Sequence, residues 1–331
     1  MNPWLRNSFL LALAMLVTAE VVVRVFFARN MSGRFDYGYH PTAGFVEKAD
    51  GTINLVRAGG RRFRPQTFSK APPPGVFRIL VVGDSVPRGP SLEGAYAWQL
   101  GEALRARGIK AESFNLCVPG YGAHRNQIVL RQALEYGPSL VILHVNHSNE
   151  YEDEREFKRS QEFNNWHPKN WLMKSLVVRR LYEAKTEQVF WEWLPPAIRL
   201  GRGVNDADAE LAAGMNAETL RRWDERVREY TAGSVALARA KGVPILLLTQ
   251  AFKGKDAAGR PELNSYQLDS IATSLAGDGA YHLSVKEILS PLDCAPLFAD
   301  GSHLRAEGHT IIAEAIVKKL LDERVVSPAS R

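Results

Sequence analysis

The chain has 331 residues, 45% of them hydrophobic and 24% charged, a balance that excludes disordered and fibrous classes and suits one large α/β domain or two small ones. Its formal charge is +6, but the basic residues are scattered among 36 acidic ones and form no stripe, so nucleic acid is not an expected partner. Two cysteines, Cys117 and Cys294, exclude a disulfide scaffold or a Cys-based zinc module, and leave open a single disulfide or two separate buried thiols.

The first element is apolar. Ser8 to Phe27 is interrupted only by Thr18, Glu20 and Arg24, and its length is close to the ~20 residues that span a bilayer. Val17-Thr18-Ala19 also resembles a signal-peptide cleavage site, yet cleavage there would leave an exposed apolar start, Glu20-Val21-Val22-Val23. The expectation is therefore an uncleaved anchor over residues 1–30, in the inner (cytoplasmic) membrane, with the rest of the chain on the periplasmic side. Glu20 and Arg24 stand one turn apart and can pair. Arg6 precedes the span while Arg24, Arg29 and Arg34 follow it, a count that slightly opposes this orientation. An apolar helix packed on the domain is the remaining alternative.

Residues 31–75 carry Gly, Pro, Arg and aromatic side chains without a period and read as a stalk or lead-in. Residues 76–331 read as one domain. Phe77 to Val82 is a short apolar run bounded by turn residues, as in a buried parallel strand. Alternation follows: a helix over 91–108, a strand over 112–116, a helix over 124–136 and a strand over 140–145. An insertion at about 150–208, with Trp166, Trp171, Trp191 and Trp193, breaks the rhythm. It resumes with a helix over 217–241, a strand over 244–249, a helix near 263–275, an apolar stretch over 281–285 and a closing helix over 306–323. Such alternation implies a doubly wound parallel sheet covered on both faces.

Chemistry-bearing residues collect at the strand ends. The first strand ends in Gly83-Asp84-Ser85, which puts the Ser85 hydroxyl at the carboxyl edge of the sheet, where open α/β folds bind ligands. Asp300-Gly301-Ser302-His303 precedes the closing helix, and a carboxylate three residues from an imidazole can fix its tautomer so that Nε2 faces a nucleophile; alternatively Asp300 caps the helix. Acyl chemistry also needs oxyanion donors. Asn115-Leu116-Cys117-Val118-Pro119-Gly120 supplies a glycine N–H or a plain loop glycine, and His147-Ser148-Asn149-Glu150 supplies an amide or a helix cap. His144 and His147 invite a metal, but their spacing on a strand sends them to opposite faces, so no metal and no cofactor are expected.

Taken at successive strand ends, these four segments resemble the four blocks of the SGNH (GDSL-type) hydrolases: Gly83-Asp84-Ser85, Asn115 through Gly120, Asn149, and Asp300 with His303. The N-terminal span, Phe77-Arg78-Ile79-Leu80 and Val118-Pro119-Gly120-Tyr121-Gly122 are similar to membrane-anchored bacterial members. The resemblance covers about residues 76–323. It implies a flavodoxin-like three-layer α/β fold, a Ser85–His303–Asp300 triad, and an oxyanion hole shared by the Ser85 N–H, the Gly120 N–H and the Asn149 side chain. In the third block His147 and Glu150 stand where the family commonly has Gly and Asp. His147 could narrow the cleft or add a donor, and Arg88 close to Ser85 could recognise an acidic group on a substrate.

The expected activity is serine-dependent hydrolysis of an ester-bearing small molecule, glycan or lipid, most concretely an O-acyl ester of the cell envelope, through an acyl-enzyme. An O-acyltransferase would use the same residues if a sugar hydroxyl outcompetes water. A non-catalytic carbohydrate-binding envelope protein is the alternative of a different class.

Overall fold

A computed structural model describes residues 2–27, 38–39, 44–55, 57–58, 61–164, 174–178, 217–255 and 258–327. Arg29, Arg34, the four tryptophans of the insertion and most of its length lie outside the described residues.

Helix α1 (Pro3–Phe27) contains a stretch, Pro3–Phe26, long and apolar enough to cross a membrane, with mean hydropathy 2.2 and none of it buried in the protein. That exposure removes the packed-helix reading; an anchor and a signal sequence remain, since both meet the same physical criterion. Glu20 and Arg24 pair at 2.8 Å. The Glu20 carboxylate also accepts from Ser175 Oγ at 2.7 Å, Leu176 N at 2.9 Å and Val177 N at 3.1 Å, so it caps a helical turn at residues 176–178.

The lead-in is more ordered than its sequence suggests. β1 (Phe45–Glu47) and β2 (Thr52–Leu55) pair antiparallel, a two-residue ladder joins β3 (Arg57–Ala58) to β4 (Arg61–Arg62), and β5 (Thr67–Ser69) completes the order β1-β2-β5. Strands this short show no period-2 signal over four or more residues, which is why the sequence looks irregular. Phe45, Ile53, Phe63 and Phe68 are buried in the domain core, with Phe45 stacked on Tyr136 at 5.4 Å. Gln66 pairs with the backbone of Asn115 in both directions, at 2.9 and 3.0 Å.

The domain proper runs β6 (Phe77–Val82), α2 (Ser85–Arg88), α3 (Tyr96–Ala106), β7 (Ala111–Asn115), α4 (Ala123–Ala133), β8 (Leu140–Val145), α5 (Glu150–Asn164), α6 (Ala217–Ala240), β9 (Ile245–Thr249), β10 (Phe252–Lys255), β11 (Pro261–Asn264), α7 (Leu268–Leu275), β12 (Ala280–Ser284), α8 (Val285–Leu289) and α9 (Ala306–Asp322). Five strands form a parallel sheet in the order β12-β9-β8-β6-β7. In chain order this is 2-1-3-4-5, the doubly wound flavodoxin-like arrangement, whose direction reverses between β6 and β8.

Side chains alternate between two cores, as the pleat requires. Leu80, Val82, Val141, Leu143, Ile245 and Leu247 face α4, α6 and α7, while Ile79, Val81, Leu140, Ile142, Leu246 and Leu248 face α3, α8 and α9. Helices on both faces make three layers. Arg78 interrupts the apolar run of β6 yet is fully buried, because Glu112 pairs with it at 2.6 Å and the carbonyls of Ser69 and Tyr136 accept from it at 2.9 and 2.7 Å.

Two boundaries differ from expectation. The helix near 263–275 starts only at Leu268, because Pro261 opens strand β11 and Asn264 turns the chain by accepting from Tyr266 N at 2.6 Å. The helix over 91–108 starts at Tyr96, because Ser91 Oγ holds Gly94 N at 2.8 Å in a local turn.

Candidate active site

Ser85 is the first residue of α2, directly after β6 and at the reversal point of the sheet. The chain turns this sharply because position 83 is glycine: a Cβ there would lie 2.5 Å from Pro87 Cγ and 2.9 Å from His144 Cβ. Ser85 Oγ is 2.9 Å from His303 Nε2, and His303 Nδ1 is 2.8 Å from Asp300 Oδ2. The three residues expected to act together are thus brought together by contacts spanning 218 positions in sequence.

Asp300 holds the imidazole and does not cap the closing helix, whose N-cap is Arg305. Its Oδ2 meets the imidazole, while Oδ1 accepts from the backbone N–H groups of Ser302 and His303, each at 2.8 Å. Burial pushes its carboxyl upward, but the His303 and Ser302 amides and the imidazole outweigh this and hold it down to about 2. Asp300 is therefore ionised at neutral pH and fixes Nδ1–H toward itself, leaving Nε2 as the acceptor for the serine proton. The relay is open to solvent, with side-chain exposures of 43% for His303 and 56% for Asp300.

Its loop is held from behind by a buried chain that the sequence did not disclose. Tyr96 O–H donates to His144 Nδ1 at 3.2 Å, His144 Nε2–H donates to Gln250 Oε1 at 2.7 Å, and Gln250 Nε2 donates to the Ser302 carbonyl at 2.8 Å. Burial pushes the His144 imidazole down, so it is neutral and can donate from one nitrogen while accepting at the other. His144 is thereby committed to protein partners, and no group of three or more potential metal ligands occurs among the described residues.

Of the expected oxyanion donors, Gly120 adopts φ +76°, a conformation that favours glycine. Among the described residues no group accepts from the N–H of Gly120 or of Ser85. Asn149 Nδ2 gives one hydrogen to Asp84 Oδ2 at 2.6 Å, which leaves its second hydrogen for a ligand. Asp84 also accepts from Asn146 Nδ2 at 2.5 Å and caps α2 through Val86 N at 2.9 Å. It is the residue that ties the first and third blocks, and its 1% exposure was invisible in a tripeptide.

His147 does not join this group. Its ring packs 5.1 Å from both Phe252 and Tyr266, at the β10–β11 hairpin, and burial pushes the imidazole down to about 4. It is a neutral wall of the cleft. The hairpin is joined to the relay loop by Lys253 N donating to Gly301 O at 2.8 Å.

A buried ionic cluster supports the glycine block. Arg125 pairs with Asp153 and donates to the Gly120 carbonyl at 2.5 Å; Asp153 accepts from Gly122 N at 3.2 Å, and Glu150 from Ala123 N at 2.6 Å. Arg226 bridges Glu150 at 3.2 Å and Asp153 at 3.5 Å, and Tyr39 donates to the Asp153 carbonyl. Burial and the neighbouring Asp153 charge push the Glu150 carboxyl up to about 8, against the pull of Ala123 N–H and Arg226. Glu150, placed where the resemblance leads one to expect Asp, is thus a strut between α4, α5 and α6. Cys117 and Cys294 are both free thiols.

No protein-family model matches the chain, and no curated protein matches it. Solved structures do. An acetyl xylan esterase, AlAXEase, is 14% identical with a TM-score of 0.45, the match covering 73% of this chain and 99% of that one. TesA is 14% identical with a TM-score of 0.43, covering 75% and 99%. Several of the solved structures that this chain is similar to are SGNH or GDSL hydrolases, among them the SGNH-hydrolase family esterase AlinE4, at 18% identity, TM-score 0.37 and coverage of 74% and 95%.

Proposed function

We propose that the chain is a serine esterase that cleaves an O-acyl ester of a cell-envelope glycan or lipid, with Ser85, His303 and Asp300 as its triad. The observation that carries the reading is the unbroken hydrogen-bond line from Ser85 Oγ through both nitrogens of His303 to Asp300. In this mechanism Ser85 Oγ attacks the acyl carbon and passes its proton to His303 Nε2. The N–H groups of Ser85 and Gly120 and the free hydrogen of Asn149 receive the oxyanion, each such donor stabilising the transition state by about 3 kcal/mol. Collapse expels the alcohol, which takes the proton from Nε2, and water then releases the acid from the acyl-enzyme by the same steps in reverse. The solvent exposure of the relay favours water over a sugar hydroxyl as the second acceptor, and so hydrolysis over transfer. Residues 1–30 would hold the enzyme in the inner membrane with the site on the periplasmic side, a reading supported by the exposed apolar face of α1.

The test is a fluorophosphonate probe on the full-length chain in detergent micelles. Ser85 should carry the label, and Ser85→Ala should lose both labelling and about 10⁴-fold or more of short-chain aryl ester turnover, with a thermal midpoint within a few degrees of wild type. Turnover by Ser85→Ala at the wild-type rate would remove Ser85 from the mechanism. Digestion of the domain by external protease in spheroplasts is expected; protection would overturn the orientation.

A further inference from the structure

Arg88 is the last residue of the α2 turn that begins at Ser85. Its guanidinium makes no hydrogen bond or ion pair among the described residues, and its Nε is buried without an acceptor. Arg64 reaches the same turn from the lead-in. Its Nε donates to the Arg88 carbonyl at 3.1 Å and its terminal nitrogen to the Gly89 carbonyl at 2.5 Å, so a second guanidinium is fixed beside the first. Burial lowers the affinity of both groups for their protons. Arg64 further disfavours the charge on Arg88, and Glu93 favours that on Arg64 without forming an ion pair.

His309 leaves a further donor idle in the core. The ring is fully buried, and burial together with His144, Arg64 and His303 pushes it down to about 3, so it is neutral. Its Nδ1 accepts from Tyr96 N at 3.3 Å, which requires the proton to sit on Nε2, and that N–H has no acceptor. The ring stacks on Tyr96 with 5.7 Å between centroids.

A buried donor in a folded protein almost always has an acceptor. Two half-buried like charges held together, one with an idle buried Nε and neither bonded to a carboxylate, are complementary to an anion that the protein does not itself supply. We infer that Arg64 and Arg88 form an anion subsite beside Ser85, and that the ester cleaved there carries a carboxylate or phosphate group. The inference rests on the esterase reading for its consequence, but the subsite can be measured without turnover.

The experiment titrates full-length Ser85→Ala, in detergent micelles, with inorganic phosphate and separately with methyl succinate, by calorimetry. Saturable binding of one of them is expected; which one binds identifies a phosphoryl or a carboxylate substrate. Arg88→Met should weaken it at least tenfold, as should Arg64→Met, with Arg88→Lys retaining part of it. Should Arg64→Met fail to fold, Arg88→Met decides alone, since its side chain makes no bond to lose. In the active enzyme 4-nitrophenyl hemisuccinate should exceed 4-nitrophenyl acetate in kcat/KM at least tenfold if the anion lies on the acyl side, and that ratio should fall toward one in Arg88→Met. No binding of either anion, or equal binding by Arg88→Met, overturns the subsite. Binding that is lost in Arg88→Met while neither ester is turned over by the wild type leaves the subsite standing and sinks the esterase.

Discussion

Two pairs of arginines serve the carboxyl edge of the sheet, and they are treated in opposite ways. Arg125 and Arg226 share the Asp153 carboxylate, Arg226 also meets Glu150, and the cluster holds the Gly120 carbonyl and the N–H groups of Gly122 and Ala123. Arg64 and Arg88 face no bonded carboxylate at all. The first pair is scaffold, complete when the chain folds. The second is complete only when something else arrives.

Removing a counter-charge should therefore be far more damaging in the first pair than removing a charge in the second. Asp153→Asn leaves Arg125 buried without its anion and is expected to destabilise the domain by about 3–5 kcal/mol in urea unfolding. Arg88→Met should shift the thermal midpoint by no more than a few degrees. Equal losses in the two variants would abolish the distinction.

The next effect is catalytic. Asn149→Ala removes a donor that Asp84 aims, and kcat should fall about a hundredfold with KM nearly unchanged, because the interaction is made mainly in the transition state. Since His147 packs on Phe252 and Tyr266, the double variant with His147→Gly should show the product of the two single effects. A full wild-type kcat in Asn149→Ala would leave the third block as a helix start and nothing more.

The smallest effect is a pH slope. Glu150 has a folded value near 8 against an ordinary 4.5, so between these the folded state holds a proton that the unfolded chain has released. Its contribution to stability is full below pH 4.5 and is lost as pH rises through 8. Glu150→Gln imitates the protonated form, and its thermal midpoint should decline less between pH 6 and 9 than that of the wild type. Parallel declines would mean that Glu150 is ionised throughout.

Why the proposed triad was legible and its support was not follows from chain geometry. Ser85, Gly120, Asn149, Asp300 and His303 each follow a strand or precede a helix, and strands were readable from apolar runs. The supporting groups lie within elements. Tyr96 begins one helix, His144 sits mid-strand, and Arg125 lies in a helix whose polar face would ordinarily be called solvated. Their burial depends on partners 28 to 106 residues away, as with Arg125–Asp153 and His144–Gln250, and no local pattern encodes that. The lead-in was misread for a different reason: its aromatic residues are core residues of a sheet too short to show a period.

Gln66 has one more consequence. Strand β7 ends the five-stranded sheet, and its outward backbone groups would ordinarily invite another chain to add a strand. At Asn115 both the N–H and the carbonyl are taken by the Gln66 side chain, and at Ala111 the carbonyl is taken by Arg105 at 2.6 Å. Two side chains thus cap both ends of this edge without offering an edge of their own. Each capped position is one fewer place where a second copy could add a strand.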